Sequence, residues 1–269
     1  MAQTNSTQKG TLYEANGFKL LNKYGLVAGP GPAGGASNIP DLQIILASGG
    51  KPAGLELKMS PTSAGGLVMQ YIKGKWELGD TGGKEEKIFL EKIANDNNIL
   101  QIANRKTSPW GKRVPYLQYD SAGNKIYRGN ITPKQAYKKD IAQYGASNEI
   151  HVNVDPSSVI SYYNTKKCYY MNVGTHGFYL LGSKDPLGLN DELNRMKEPL
   201  IPNFAFPVHI RCRCQPKGGD SYNFNMVLTM KAAGKSPYNL LPIIESTGTI
   251  DMPEFNTSQN KILLKAFGV

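Results

Sequence analysis

The chain has 269 residues, with 31 Lys and Arg against 21 Asp and Glu, a formal net charge of +10 and a pI near 9.3. This length is enough for one large core or a core with an appended lobe, and the excess charge favours a polyanionic partner, because each phosphate neutralised releases counterions. Three cysteines, a polar start from Met1 to Gly10 and no run near the ~18 apolar residues of a membrane span argue against a disulfide-stapled, secreted or membrane-spanning protein. The expectation is a soluble, cytoplasmic chain with no membrane contact.

The first predicted element is a helix from about Thr11 to Tyr24, with Leu12, Ala15, Leu20, Leu21 and Tyr24 on one face and Gly25 ending it. The glycine- and proline-rich residues 29–35 read as a loop, because glycine is costly to order and proline lacks a donor. A strand then runs Asp41 to Leu46, is broken at Ser48-Gly49-Gly50-Lys51-Pro52, and is followed by a second strand, Gly54 to Met59. The two read as a hairpin or as neighbouring central strands. Helices are expected at 84–95 and from Pro133 to Tyr144, the latter with Thr132 as N-cap and Pro133 at its first position. Strands follow at Glu149 to Val154, Cys168 to Val173, Gly177 to Leu181, Val208 to Cys214 and Tyr222 to Met230. The tail from Pro237 onward carries no usable pattern. The fold class is α/β with a mixed central sheet flanked by helices and a β-rich C-terminal extension.

Chemistry concentrates where the first two strands meet. Asp41 heads one of them, and Glu56 and Lys58, two residues apart, share a face of the next. Charges projecting from an otherwise apolar sheet hold a metal, pair with each other, or both, because unpaired buried charge is expensive. Carboxylates suit Mg²⁺, which binds one or two of them and keeps waters for a substrate phosphate. Asp41 and Glu56 would be ligands with the main-chain carbonyl of Leu57 as a third, and Lys58 would orient or deprotonate the attacking water. The alternative is structural: Asp41 caps a turn and Glu56 pairs with Lys58 on a solvated face.

Pro40-Asp41, a spacer of fourteen residues and Glu56-Leu57-Lys58 resemble the motif of the PD-(D/E)xK, or restriction-endonuclease-like, nuclease superfamily. The resemblance covers roughly residues 10 to 75. It implies a metal-dependent endonuclease acting on double-stranded DNA, with Mg²⁺ as cofactor and Mn²⁺ as substitute, a site-specific restriction or homing type, and a homodimer. A structure-selective resolvase or repair nuclease is the alternative within the superfamily, and a non-catalytic basic DNA-binding protein the alternative outside it. Two further residues fit family positions: Glu14 on the preceding helix, either a metal ligand or a solvated residue, and Gln70, twelve residues after Lys58, as a catalytic glutamine on the next helix. The division implied is a first part of the catalytic core at 1–75, a helical insertion at 76–150, and a β-rich segment at 151–269 that completes the core and contacts DNA.

Other clusters are less specific. Ser161 to Tyr170 mixes tyrosines with Lys166 and Lys167, a composition suited either to nucleic-acid contact or to half-buried packing. Arg211 and Arg213 share a strand face with His209 and read either as DNA contacts or as a solvated, ion-paired face. Cys212 and Cys214 lie on the opposite face, and no fourth ligand is available for zinc. His151 and His176 have no nucleophile motif beside them.

Overall fold

A computed structural model describes residues 6–32, 39–60, 63–80, 82–144, 149–190, 204–211, 224–229, 231–232, 235–244, 249–250 and 258–269. The first elements are α1 (Ser6–Lys23), β1 (Leu42–Leu46), β2 (Gly49–Lys58), β3 (Ser63–Ile72) and β4 (Lys75–Leu78). Then come α2 (Glu85–Asp96), α3 (Ile99–Asn104), β5 (Leu117–Tyr119), β6 (Lys125–Tyr127), α4 (Pro133–Tyr144) and β7 (Glu149–Val154). The chain continues through α5 (Pro156–Thr165), β8 (Cys168–Val173), β9 (Gly177–Leu180), β10 (Phe204–Arg211), β11 (Phe224–Thr229) and β12 (Lys231–Ala232). It ends with β13 (Ile243–Ile244), β14 (Thr249–Ile250) and α6 (Ser258–Ala266).

The protein is mixed α/β, as composition and periodicity suggest, but its division differs from the one read in the sequence. Unit 1 comprises Met1–Thr62, Asp155–Ala205 and Met230–Val269, and unit 2 comprises Ser63–Val154 and Phe206–Thr229. The boundary therefore falls just after β2, not near residue 75. The stretch 76–150 is not a purely helical insertion, since it holds β4, β5 and β6 beside α2, α3 and α4, and 151–269 contains α5 and α6 among its strands.

Unit 1 is built on a mixed sheet with strand order β1-β2-β8-β9. β1 runs antiparallel to β2 with Leu42 opposite Leu55, β2 runs parallel to β8 with Leu57 opposite Asn172, and β8 turns back into β9. Two glycines allow close approach. A Cβ at Gly54 would meet the Lys167 carbonyl oxygen at 2.5 Å and the Cys168 Cα at 2.8 Å, so only glycine lets β2 lie this near the start of β8. A Cβ at Gly17 would stand 2.5 Å from Leu57 Cδ1, which shows that α1 rests directly on the Leu57 face of β2.

A buried polar network fastens α1 and the C-terminal segment to β8. Asn172, fully buried, donates from Nδ2 to the Tyr13 hydroxyl at 2.7 Å and to Asn239 Oδ1 at 3.2 Å, and accepts at Oδ1 from the Leu240 amide at 2.8 Å. Tyr13 donates in turn to the Leu241 carbonyl at 2.7 Å, and Asn239 to the Gly174 carbonyl at 2.9 Å. Residues 238–241, in the tail that showed no pattern in sequence, are thus part of the core.

Unit 2 has its own mixed sheet, β10-β11-β3-β5-β6, with β4 on β3 and β7 on β10. Its core includes Trp76 and Trp110, whose rings meet edge to face at 4.6 Å while Trp76 Nε1 donates to the Trp110 carbonyl at 2.9 Å. Gln70 lies on β3 opposite Glu77 of β4, not on a helix following Lys58. The run Leu67 to Ile72 is rich in β-branched and aromatic residues and pairs on both sides, and that pairing overrides the helical expectation.

Replacing Asn172 by Ala takes their partner from the buried Leu240 amide and Asn239 Oδ1, and removes the donor to the Tyr13 hydroxyl. Urea denaturation should show the variant destabilised by about 3 kcal/mol, near the upper end for orphaned buried polar groups.

Candidate active site

The β1–β2 register that pairs Leu42 with Leu55 carries Asp41 to the position beside Glu56. The Leu57 amide donates to Asp41 Oδ2 at 2.7 Å, which fixes the carboxylate against the strand that carries the other acid. The Glu56 side chain is only 7 % exposed; its Oε1 accepts from Lys58 Nζ at 2.7 Å, while the buried Oε2 makes no hydrogen bond. Lys166, just after α5, brings its Nζ to 3.8 Å from Oε2 with a side chain 8 % exposed. Leu55 and Leu57 are buried on the other face of β2, as strict alternation requires.

The electrostatics of this group are strained in one direction. Burial and, after it, the Glu56 charge push the Asp41 carboxyl from its ordinary 3.8 up to about 7, against the opposing pull of Lys58. Burial acts to lower the Lys58 ammonium and is its largest influence, yet Glu56, Asp41 and Glu14 together hold it above its usual range. A lysine so held stays charged at neutral pH, so it suits orientation of water and neutralisation of phosphate rather than proton abstraction.

Glu14 on α1 is raised by burial and by Glu56 and lowered by Lys58, so it belongs to the same electrostatic neighbourhood. It does not complete a cage. Among the described residues no group of three or more His, Cys, Asp or Glu side chains is arranged to hold a metal. Glu14 rides on the helix seated over Leu57 and acts on Asp41 and Glu56 through charge. Asp41 and Glu56, with the Leu57 carbonyl, would be the residues to hold a cation such as Mg²⁺, which commonly takes one or two carboxylates and otherwise binds water and phosphate. The donor chemistry fits such an ion: Glu56 Oε2 is buried without a hydrogen bond, and Asp41 is short of positive charge.

The sequence-based DNA contacts divide. Lys166 turns inward to Glu56 and over the Tyr162 and Tyr163 rings at 5.4 and 5.3 Å, so it is a site residue rather than an exposed phosphate contact. Tyr163 and Tyr170 are core residues, and Lys167 alone of the two lysines is exposed. Arg211 ends β10 in register with Glu149 of β7, whereas Arg213, Cys212 and Cys214 lie outside the described residues. Cys168 is buried, with its thiol pushed well above the ordinary range by burial and then by Glu56, which removes it as a nucleophile. Glu56 does pair with Lys58, as the structural alternative expects, but in a largely buried setting rather than on a solvated face.

The role of Lys166 is hidden in the sequence until α5 is recognised. The start signal of that helix is present: Asp155 accepts from the Ser157 amide at 2.9 Å as N-cap, and Pro156 occupies the first turn. Comparison with family models, with curated proteins and with solved structures finds no match to this chain.

The raised Asp41 has a consequence for stability. The folded state holds the Asp41 proton up to about 7 while the unfolded chain releases it near 3.8, so folded stability falls as pH rises between those values. Chemical denaturation of metal-free protein at a series of pH values should show this decline in the native protein and a flatter profile in Asp41→Asn.

Proposed function

We propose that the protein is a Mg²⁺-dependent endodeoxyribonuclease that hydrolyses phosphodiester bonds of double-stranded DNA. The observation that carries this reading is the pairing of Asp41 with a buried Glu56 whose Oε2 has no hydrogen bond, beside a lysine held in its charged form. Asp41 and Glu56, with the Leu57 carbonyl, would hold the cation. A bound Mg²⁺ supplies Lewis-acid polarisation of the phosphoryl oxygen and a water of lowered pKa. Lys58 would orient the attacking water and stabilise negative charge developing on the phosphate. Glu56 and Asp41, with a smaller contribution from Glu14, keep Lys58 charged. The PD-(D/E)xK resemblance and the mixed sheet, with α1 resting on the Leu57 face and Lys166 against Glu56 on the other, are consistent with a restriction-endonuclease-like core.

The DNA partner is supported by the distribution of charge. Unit 2 carries 17 basic and 10 acidic residues, so it holds most of the net charge of +10. On its surface the Arg128 guanidinium lies 4.3 Å and the Lys139 ammonium 5.2 Å from the centre of the Tyr116 ring, with both cations exposed. We assign these two residues, with Lys167 and Arg211, to phosphate contact. Cleavage at fixed sites on both strands would follow from a homodimer, since one active site cuts one strand. No helix among the described residues is long and apolar enough to cross a membrane.

Incubation with supercoiled plasmid and Mg²⁺ tests the reading. The native protein should nick or linearise the plasmid, Mn²⁺ should substitute, and Asp41→Ala and Lys58→Ala should each lose about 10²-fold or more in rate. Asp41→Ala should also lose metal, whereas Lys58→Ala should retain it. Full activity in both variants would remove the assignment, and binding without cleavage by any form would leave a basic DNA-binding protein.

For the DNA surface, the measurement is duplex affinity against salt. Arg128→Ala with Lys139→Ala should weaken binding on every sequence and flatten the log–log slope by about one unit for each phosphate left unneutralised. An unaltered slope would return both residues to packing on Tyr116.

A further inference from the structure

Lys166 places a positive charge where the proposed cation would also bring one. Its side chain is only 8 % exposed, and a charge so largely withdrawn from water is balanced by neighbours. The balance comes from Glu56 Oε2 at 3.8 Å and from the faces of Tyr162 and Tyr163. The geometry is that of an ion pair without a hydrogen bond. Lys58, by contrast, is hydrogen-bonded to Oε1 at 2.7 Å. The two oxygens of one carboxylate are therefore treated differently: one is engaged, and the other is neutralised from a distance with its lone pairs open.

We propose that Lys166 is the resident counter-ion of the cation site, neutralising Glu56 at Oε2 in the metal-free protein and competing with a divalent cation for that oxygen. This rests on the metal-site reading of Asp41 and Glu56 given above. Lys166 is a positioning residue: it acts through Glu56, not on substrate. Its charge weakens cation binding to the free protein, and a substrate phosphate, arriving with negative charge and oxygen ligands of its own, offsets that repulsion. Metal occupancy is thereby made conditional on bound DNA. The tyrosine rings keep the ammonium in place without fixing it by hydrogen bonds, so it can yield Oε2 without breaking a network.

The test is Mn²⁺ binding in the absence of DNA, followed by loss of the free-ion electron paramagnetic resonance signal at pH 8. Native protein, Lys166→Met, Lys166→Gln and Lys166→Arg are compared, with Asp41→Ala as the control for site occupancy. Circular dichroism and thermal melts establish that each is folded; Gln keeps a polar end beneath the two rings should Met not be tolerated. The expected result is Mn²⁺ binding about tenfold tighter in the charge-removing variants, the size of one unit charge withdrawn from a partly screened site, with Arg behaving as native. A merely structural lysine gives the opposite: folded Met and Gln variants that bind Mn²⁺ equally or more weakly, which overturns the proposal and leaves the metal site standing. Saturable binding absent from native and Lys166 variants alike overturns both.

Discussion

Unit 1 is organised around two acids placed side by side on a covered sheet. Neighbouring like charges withdrawn from water repel, and a few kcal/mol is a large part of the roughly 5–15 kcal/mol that separates a typical folded domain from its unfolded chain. Such a pair persists only with compensation, and the compensation has three sources. Lys58 is hydrogen-bonded to Glu56, Lys166 faces its other oxygen, and the Leu57 amide donates to Asp41. Even so, Asp41 remains raised to about 7. An arrangement that stabilised folding alone would replace the acids with apolar residues, since well-packed hydrophobic side chains commonly match or exceed a buried ion pair. Retention of an under-compensated acid inside a well-packed unit is what points beyond stability to binding.

That crowding is tolerable because the frame beneath it is stiff. Asn172 sits opposite Leu57 on the neighbouring parallel strand and connects α1, β8 and the segment at 238–241 through three hydrogen bonds. Glu14 follows Tyr13, a member of that network, and Gly17 seats the same helix on Leu57. Position along α1 is therefore fixed at two points one turn apart. The reach of the Glu14 charge to Asp41, Glu56 and Lys58 follows from this seating and not from a direct contact.

What sequence could and could not disclose follows from the range of the interactions involved. The Asp41, Glu56 and Lys58 set was legible because strand alternation is local and the two strands are consecutive, and the bounds of α4, β7 and β8 were legible from proline, N-cap and β-branched patterns. Gln70 falls elsewhere because a family position does not carry over onto a segment whose own residues favour a strand. The β3–β4 hairpin stayed hidden because its tight turn uses Lys73-Gly74, with both residues at positive φ, where Asn or Asp would have been the recognisable signal. Lys166 could not be assigned from composition: tyrosines and lysines in alternation suit a nucleic-acid surface as well as a helix end turned inward. Asn172 is separated by 67 and 159 residues from its partners Asn239 and Tyr13, and no local pattern encodes such contacts.

The two units are joined at places that matter for the site. Unit 2 leaves unit 1 directly after β2, whose last residue is Lys58, and the chain re-enters at Asp155, the cap of the helix that ends just before Lys166. A parallel pair such as β2 and β8 needs a crossover connection, and lengthening one costs little, because loop-closure entropy rises only as the logarithm of length. The connection is therefore the natural place for a large basic insertion. Both ends of this first segment of unit 2, Ser63–Val154, lead to elements carrying a site lysine, whereas its second segment, Phe206–Thr229, connects elsewhere, and Asp41 enters from the opposite end of β1 and has no such link. The carboxylates are thus fixed by the sheet of unit 1 alone, and the cations that compensate them stand nearest in the chain to the unit that carries most of the positive charge.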